Sequence, residues 1–280
     1  MDTANYPSQE NMAKDVGQRL KALRIGRGIT PDELAKQSGV SRAAIYRYES
    51  GHLPKVDTVG KIADLLGVSM ANIMGLGVEF IDTAVGYFER MRQIEESSEQ
   101  ICSLFGPISY VLTSDQFDAT LSEVLAESIP NTVADKSQAA SEIETLLAIL
   151  RARKANFRRS KPGIVSLVSA AELVRFSQQG FIGTYVPPGI DMDARRQVAK
   201  DEIRNIIDLL RNPVMGTQIG LVIDSMPATS LQIFRQRDRT HVAVSPYRLG
   251  DFANIRIGVA TIIATPEAVR LYESMTARLW

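Results

Sequence analysis

Over the first 76 residues the apolar positions fall at helical spacing in short runs, and glycine closes each run. Val16, Leu20 and Leu23 lie at i, i+4 and i+7, forming one apolar face, and Gly26 and Gly28 then interrupt it. Thr30-Pro31-Asp32-Glu33 predicts a helix start: Thr30 can cap, Pro31 suits the first helical position, and Glu33 completes a capping box. Leu34 and Ala35 face inward, and Gly39 supplies the left-handed residue that ends the segment before Val40. Ser41 can cap a third helix, Arg42 to Glu49, with Ala44, Ile45 and Tyr48 inward and Arg42, Ala43, Tyr46 and Arg47 outward. Gly51 stops it; Asp57 or Thr58 opens a fourth helix with Val59, Ile62, Ala63 and Leu66 buried; after Gly67, Ser69 caps a fifth that reaches Met74.

Gly75-Leu76-Gly77 is the expected hinge, followed by a helix from Phe80 to Phe105 in which Phe80, Ala84, Phe88 and Met91 keep helical spacing. Two more helices are expected at Ser114 to Glu127 and Ala134 to Asn156. The pattern then changes. Ile164–Val168, Gln218–Asp224 (the Val222-Ile223-Asp224-Ser225 region), Ser230–Arg235, His241–Ser245 and Ile255–Ala264 are short β-branched runs. Helical runs at Ala170–Gln179, Asp191–Leu210 and Pro266–Leu279 alternate with them, which predicts an α/β or α+β domain with a mixed sheet. The fold expected is therefore multi-domain. A flexible N-terminus, residues 1–13, precedes an all-α five-helix unit at 14–76, a helical linker or dimerisation region at 77–160 and an α/β sensor or partner-binding domain at 161–280.

Length supports two domains, because 280 residues exceed what one ordinary core serves. With 45% hydrophobic and 23% charged residues the chain reads as globular. The 32 Lys+Arg balance 32 Asp+Glu, so net charge argues for no partner, but its distribution does. Between Lys14 and Lys61 ten basic residues face five acidic ones, a local net of +5, leaving −5 for the rest. The start, Met1 to Asn11, lacks the order of a secretory signal, and no apolar run approaches the ~18 residues of a spanning helix, so a cytoplasmic location is expected.

Catalytic chemistry finds little footing. Cys102 is the lone cysteine and reads as a small buried hydrophobe, while His52 and His241 stand far apart, so no metal site and no cofactor are expected. The chain has no G-x-S-x-G, no G-x-x-x-x-G-K and no Cys–His pair, and past Ala171 its lysines reduce to Lys200, against the serine–lysine pair of a self-cleaving repressor. The expectation is a non-enzyme, with an unrecognised enzyme as the remote alternative.

Two short helices joined by a glycine turn, the second displaying basic residues, form a helix-turn-helix, whose second helix can enter the major groove of DNA. Arg19-Leu20-Lys21-Ala22-Leu23-Arg24, Gly28-Ile29-Thr30, Glu33-Leu34-Ala35, Gly39-Val40-Ser41, Ile45-Tyr46-Arg47-Tyr48-Glu49-Ser50-Gly51 and Ile62 to Ser69 together resemble the phage-repressor and Cro-like family, often called the xenobiotic-response-element (XRE) family. The resemblance covers Val16 to Met74 and implies a sequence-specific transcriptional regulator or repressor that binds double-stranded DNA as a homodimer. It implies base reading by Arg42, Ala43, Tyr46 and Arg47, phosphate contact by Thr30, Ser41 and Lys55, and an internal ion pair between Arg24 and Glu49. Thr30 and Ser41 serve equally as ordinary caps, and Lys55 as a solvated lysine. Pro31 departs from the pattern, standing where many relatives place a glutamine that supports the reading helix, which shifts the burden toward the arginines.

The rest of the chain is less specific. The order of elements after the linker resembles the C-terminal half of actinobacterial regulators with the same head. The segments Ser245–Gly250 and Asn254–Ala260 are similar to a domain shared by such regulators in proteobacteria. Both imply a sensing or partner-binding module, with Asn254 and Arg256 as candidate effector contacts or, alternatively, plain turn and edge residues. The basic run Arg151, Arg153, Lys154, Arg158, Arg159 and Lys161 reads as a solvated helix end, and Arg235 to Arg239, centred on Asp238, as a hairpin turn. Dimerisation is expected through the Phe80–Phe105 helix first and the α/β domain second. The alternative function is an antitoxin-like protein-interaction component that autoregulates its promoter.

Overall fold

The computed structural model describes residues 9–129, 136–183, 185–224, 226–227, 229–250 and 252–280. Residues 1–8, 134–135 and Ser225, on which some of the expectations fell, lie outside the described residues.

Five helices make the N-terminal head: α1 (Gln9–Gly26), α2 (Pro31–Ser38), α3 (Arg42–Glu49), α4 (Val56–Leu66) and α5 (Met70–Met74). Their starts follow local capping chemistry. Thr30 accepts from Glu33 N–H while its own N–H donates to Glu33, and Ser41 and Ser69 cap α3 and α5. Gly39, at φ 73°, closes α2 in a conformation that costs other residues strain. The inward faces meet in one core of Val16, Leu20, Leu34, Ile45, Ile62 and Leu66. Two boundaries moved: α1 already contains residues 9–13, expected to be flexible, and α4 starts at Val56 instead of Asp57 or Thr58.

The Phe80–Phe105 segment is not a helix. It splits into β1 (Val78–Ile81), α6 (Ala84–Glu95) and β2 (Ser98–Leu104). In β1 exposed Phe80 alternates with buried Ile81, a period of two, and the helical spacing begins only where Thr83 caps α6. Further on come α7 (Asp115–Glu127), α8 (Lys136–Ser160), β3 (Gly163–Ser169), α9 (Ala170–Gln179), α10 (Met192–Arg211), β4 (Thr217–Val222), β5 (Ser230–Gln236), β6 (Thr240–Ser245), β7 (Ala260–Ile263) and α11 (Pro266–Leu279). The last expected strand is shortened to β7, because residues 254–257 are taken up by a turn on Asn254, whose side chain accepts from the N–H groups of Arg256 and Ile257.

Among the described residues seven strands form one mixed sheet, ordered β1-β7-β6-β5-β2-β3-β4, with β2, β3 and β4 parallel and the remaining pairs antiparallel. Ile101, Ile164 and Phe234 join the core shared with α6, α7 and α8, whereas Cys102, Leu231, Ile233 and Val242 join Val269 of α11 in a second core. The sheet thus begins at residue 78, and the stretch expected as a helical linker supplies an edge strand and an interior one. Ten residues of α6 are buried, which removes it as a dimerisation helix.

The expected hinge is also pinned. Asn72 Nδ2 donates to Phe80 O and Asn72 Oδ1 accepts from Phe80 N–H, closing α5 onto β1 across Gly75 and Gly77. Nearby α1 crosses α6 at Gly26 and Gly86; a Cβ on Gly26 would stand 2.4 Å from Thr83 Oγ1 and 3.0 Å from Gly86 Cα. No helix among the described residues is long and apolar enough to cross a membrane.

Candidate nucleic-acid interface

With Ala44 and Ile45 turned into the head's core, α3 must show its opposite side to solvent, and Arg42, Ala43, Tyr46 and Arg47 all lie exposed there. Arg42 is already engaged: its Nη2 donates to Tyr46 Oη at 3.1 Å, its guanidinium stacks 5.4 Å from that ring's centre, and Nη1 stands 3.3 Å from Asp32. The hydrogen bond to Tyr46 and the charge of Asp32 hold the guanidinium above its ordinary pKa. Arg47 has no side-chain partner among the described residues. Asp32 escaped the sequence reading although it sits in the capping turn of α2, where an acidic residue looks like ordinary helix-dipole chemistry.

Thr30 and Ser41, the expected phosphate contacts, spend their side-chain oxygens on the N–H groups of Glu33 and Ala44, at 3.2 Å each. The two hydrogen bonds from Thr30 pull the Glu33 carboxyl below its usual range. Lys55 is exposed at the start of α4, beside the turn that follows α3. Arg24 and Glu49 do meet. The guanidinium donates through Nε at 2.5 Å and Nη2 at 3.2 Å, and Nη1 reaches Ile29 O at 2.7 Å, tying α1, the α1–α2 turn and the end of α3 together.

The basic run at the end of α8 is solvated, as expected, at Arg151, Arg158, Arg159 and Lys161, but not at Arg153 and Lys154. Arg153 is buried on Glu95, Lys154 on Asp118 and Ser114 O, and Arg158 pairs with Asp115. The cause is tertiary: α8 lies against α6 and α7, whose acids the sequence places up to 58 residues away. The β5–β6 turn is a hairpin as expected, but two of its arginines are occupied, Arg235 by Glu273 and Gln100 and Arg239 by Asp15.

That last contact belongs to a buried ion cluster joining head and body. Asp15 of α1 accepts from Arg19, Arg90 and Arg239, while Glu79 of β1 accepts from Arg19 at 2.5 Å and from Arg90 at 3.0 Å. Asp15, Glu79 and His241 come within 4.8 Å of one another, a spacing that suits a metal ion, but three guanidinium groups already balance the two carboxylates. His241 is buried, with both ring nitrogens unpartnered among the described residues. Burial first, then the charge of Arg90, pushes its pKa down to about 4.

Asn254 and Arg256 line one cleft of about 560 Å³ between the end of α1, the start of α6 and helices α7 and α8. The Asn254 amide is spent on its own turn, donating to Pro246 O and Ile257 O.

Residues 20–73 match the helix-turn-helix family. This stretch is a helix-turn-helix domain. Over 90 residues the chain is 34% identical to the HTH-type transcriptional repressor RghR of Bacillus subtilis, covering 31% of this chain and 61% of that protein. Over 92 residues it is 35% identical to the uncharacterised HTH-type transcriptional regulator RghRB of the same organism, covering 32% of this chain and 60% of that one. A putative HTH-type transcriptional regulatory protein of Methanocaldococcus jannaschii is 32% identical over 105 residues, 37% of this chain and 33% of its own length. The chain thus spans about three fifths of the two Bacillus relatives and a third of the archaeal one. The family match ends at residue 73, so the α/β body stands outside it.

Proposed function

We propose that this protein is a transcriptional regulator that inserts α3 of its helix-turn-helix domain into the major groove of operator DNA, reading bases with Arg42, Ala43, Tyr46 and Arg47. The supporting observation is the exposed quartet on a helix whose other side is locked into the head's core, with Arg47 uncommitted. A guanidinium can bond guanine O6 and N7 together, and the Ala43 methyl suits a thymine. Lys55 and the N–H groups opening α2 and α3 near Thr30 and Ser41 meet phosphates. Arg24 and Glu49 hold the reading helix to α1 as a positioning pair. The basic head on an acidic body orients the approach.

Two half-sites need two heads, and the body supplies the dimer contact. With α6 buried, the sheet edge β4 is the best candidate. Residues 214–223 carry no charge, and Met215 at 99% and Ile223 at 86% exposure flank a strand with no neighbour on its outer side among the described residues. Antiparallel pairing of β4 with its copy generates the two-fold axis a palindromic operator requires. The body also receives a signal, at the cleft lined by Asn254 and Arg256. The test is a fluorescence-anisotropy titration against the protein's own upstream DNA at several salt concentrations; affinity that falls steeply with salt and depends on sequence is expected, and a response flat to both overturns the proposal.

A further inference from the structure

The cleft beside Asn254 has about the size of a small-molecule site, and its chemistry is lopsided. Leu125, Ile129, Ile143 and Leu146 give it apolar walls from α7 and α8, and Ile257 extends the apolar surface to the mouth. Three ionic groups line it among the described residues. Asp82 is neutralised by Arg27 at 2.6 Å, and Glu142, exposed on α8, accepts from the neutral amide of Gln138 at 2.9 Å, which does not offset its charge. Arg256 is the exception: its guanidinium has no partner among the described residues, while its backbone N–H is anchored on Asn254 Oδ1 at 3.3 Å. A cation on a fixed loop at the rim of an apolar cleft suits a ligand with an apolar body and an anionic head.

We propose that this cleft binds an amphipathic carboxylate, a medium-length acyl chain or aryl acid whose hydrocarbon lies against α7 and α8 and whose carboxylate pairs with Arg256. The proposal rests on the regulator reading for its consequence. The cleft is also lined by Gly26, the last residue of α1, and by Thr83 and Asp82 at the start of α6, so the ligand sits at the crossing of head and body. An occupant there touches the joint that sets the attitude of the reading helix.

Calorimetric titration of the full chain, without DNA, with sodium decanoate, 1-decanol and decylammonium chloride, each below micellar concentration, tests it. Decanoate is expected to bind one molecule per chain, with decanol and decylammonium about tenfold weaker or worse, since a hydrogen-bonded charge is worth about that factor. Arg256→Ala, an exposed change that leaves the core intact, should reduce decanoate affinity by about tenfold. Ala139→Trp, on the α8 wall, should abolish binding while leaving the thermal midpoint in place. Decylammonium or decanol binding as well as decanoate, no heat from decanoate, or affinity undiminished by Arg256→Ala would each overturn the proposal. Because DNA is absent, these outcomes leave the DNA-binding reading untouched, and a failure to bind DNA leaves them readable.

Discussion

Arg90, buried in α6 of the body, donates its Nη2 to Asp15 Oδ1 on the first helix of the head at 2.5 Å, bridging 75 residues of sequence. The head is therefore held to the sheet through charges shut away from water, an arrangement that is costly to form and costlier to leave half-made.

Asp15→Asn removes the negative charge that Arg19, Arg90 and Arg239 share, with almost no change of shape. Urea unfolding at neutral pH is expected to lose about 3–5 kcal/mol, the usual cost of stranding a buried partner. Amide exchange should quicken first in α1 and β1. A loss under about 1 kcal/mol would mean the cluster is solvated in solution.

Acid should act on the same joint in two stages. His241 is neutral when folded, with its pKa pushed down to about 4, whereas the unfolded chain takes up that proton below about 6.5. Its contribution is therefore fully present above 6.5 and declines as pH falls from 6.5 toward 4, by about 2 kcal/mol at pH 5. His241→Gln should flatten that slope, visible as urea midpoints that match between pH 7 and pH 5. Asp15 and Glu79, whose carboxyls the arginines hold below their ordinary values, add a further loss only below about pH 4 in both proteins. An unchanged slope in the variant would assign the acid sensitivity elsewhere.

On DNA the arginines of α3 should differ from Lys55. A good bidentate pair with guanine is worth about 1–3 kcal/mol, so Arg47→Ala should weaken the preferred site by about five- to a hundredfold and relax preference at one base position. Lys55→Ala should weaken all sequences alike and lower the salt slope by about one unit. Arg42→Ala also frees Tyr46, so its effect combines a lost contact with a released ring. Anisotropy titrations on single-base operator variants separate these outcomes, and identical specificity profiles for Arg47→Ala and the unchanged protein would remove Arg47 from base reading.

The β4 edge is tested by a charge. Leu221→Lys places an ammonium on an exposed position of the uncharged edge strand, and sedimentation equilibrium should then shift from dimer toward monomer. Operator affinity should fall with it, while binding to a single half-site persists. A variant that remains dimeric moves the two-fold contact away from β4.

The sequence shows the head almost residue by residue, because its signals are local. Thr30 with Glu33, Ser41, Gly39 and Ser69 each act within a few positions of themselves. The body's strands from Gly163 to Ser245 are legible for the same reason, as β-branched runs between turns. β1 was hidden by an accident of spacing: Phe80 falls in phase with Ala84 and Phe88, so a four-residue strand reads as the first turn of the helix behind it. The ion cluster and the buried Arg153 were invisible because their partners lie far along the chain, Asp15 224 residues from Arg239 and Glu95 58 from Arg153. A charged residue carries no mark of whether an acid will fold onto it. The outward quartet of α3 was readable because burial of Ala44 and Ile45 leaves those side chains on the exposed side, whereas the Arg42–Asp32 contact across to α2 was not.

The hairpin that carries Arg239 and His241 gives synthesis a direction. Ribosomes deliver α1 to α5 first, and such units fold as they emerge, whereas the residues that complete the grip on Asp15 arrive more than 200 positions later. A growing polypeptide is thus expected to display a finished head whose joint, begun by Asn72, Glu79 and Arg90, is completed only once the β5–β6 turn leaves the exit tunnel. Stalling translation before and after that turn and probing with brief proteolysis should show the head already resistant in both cases, with the junction gaining further resistance in the second.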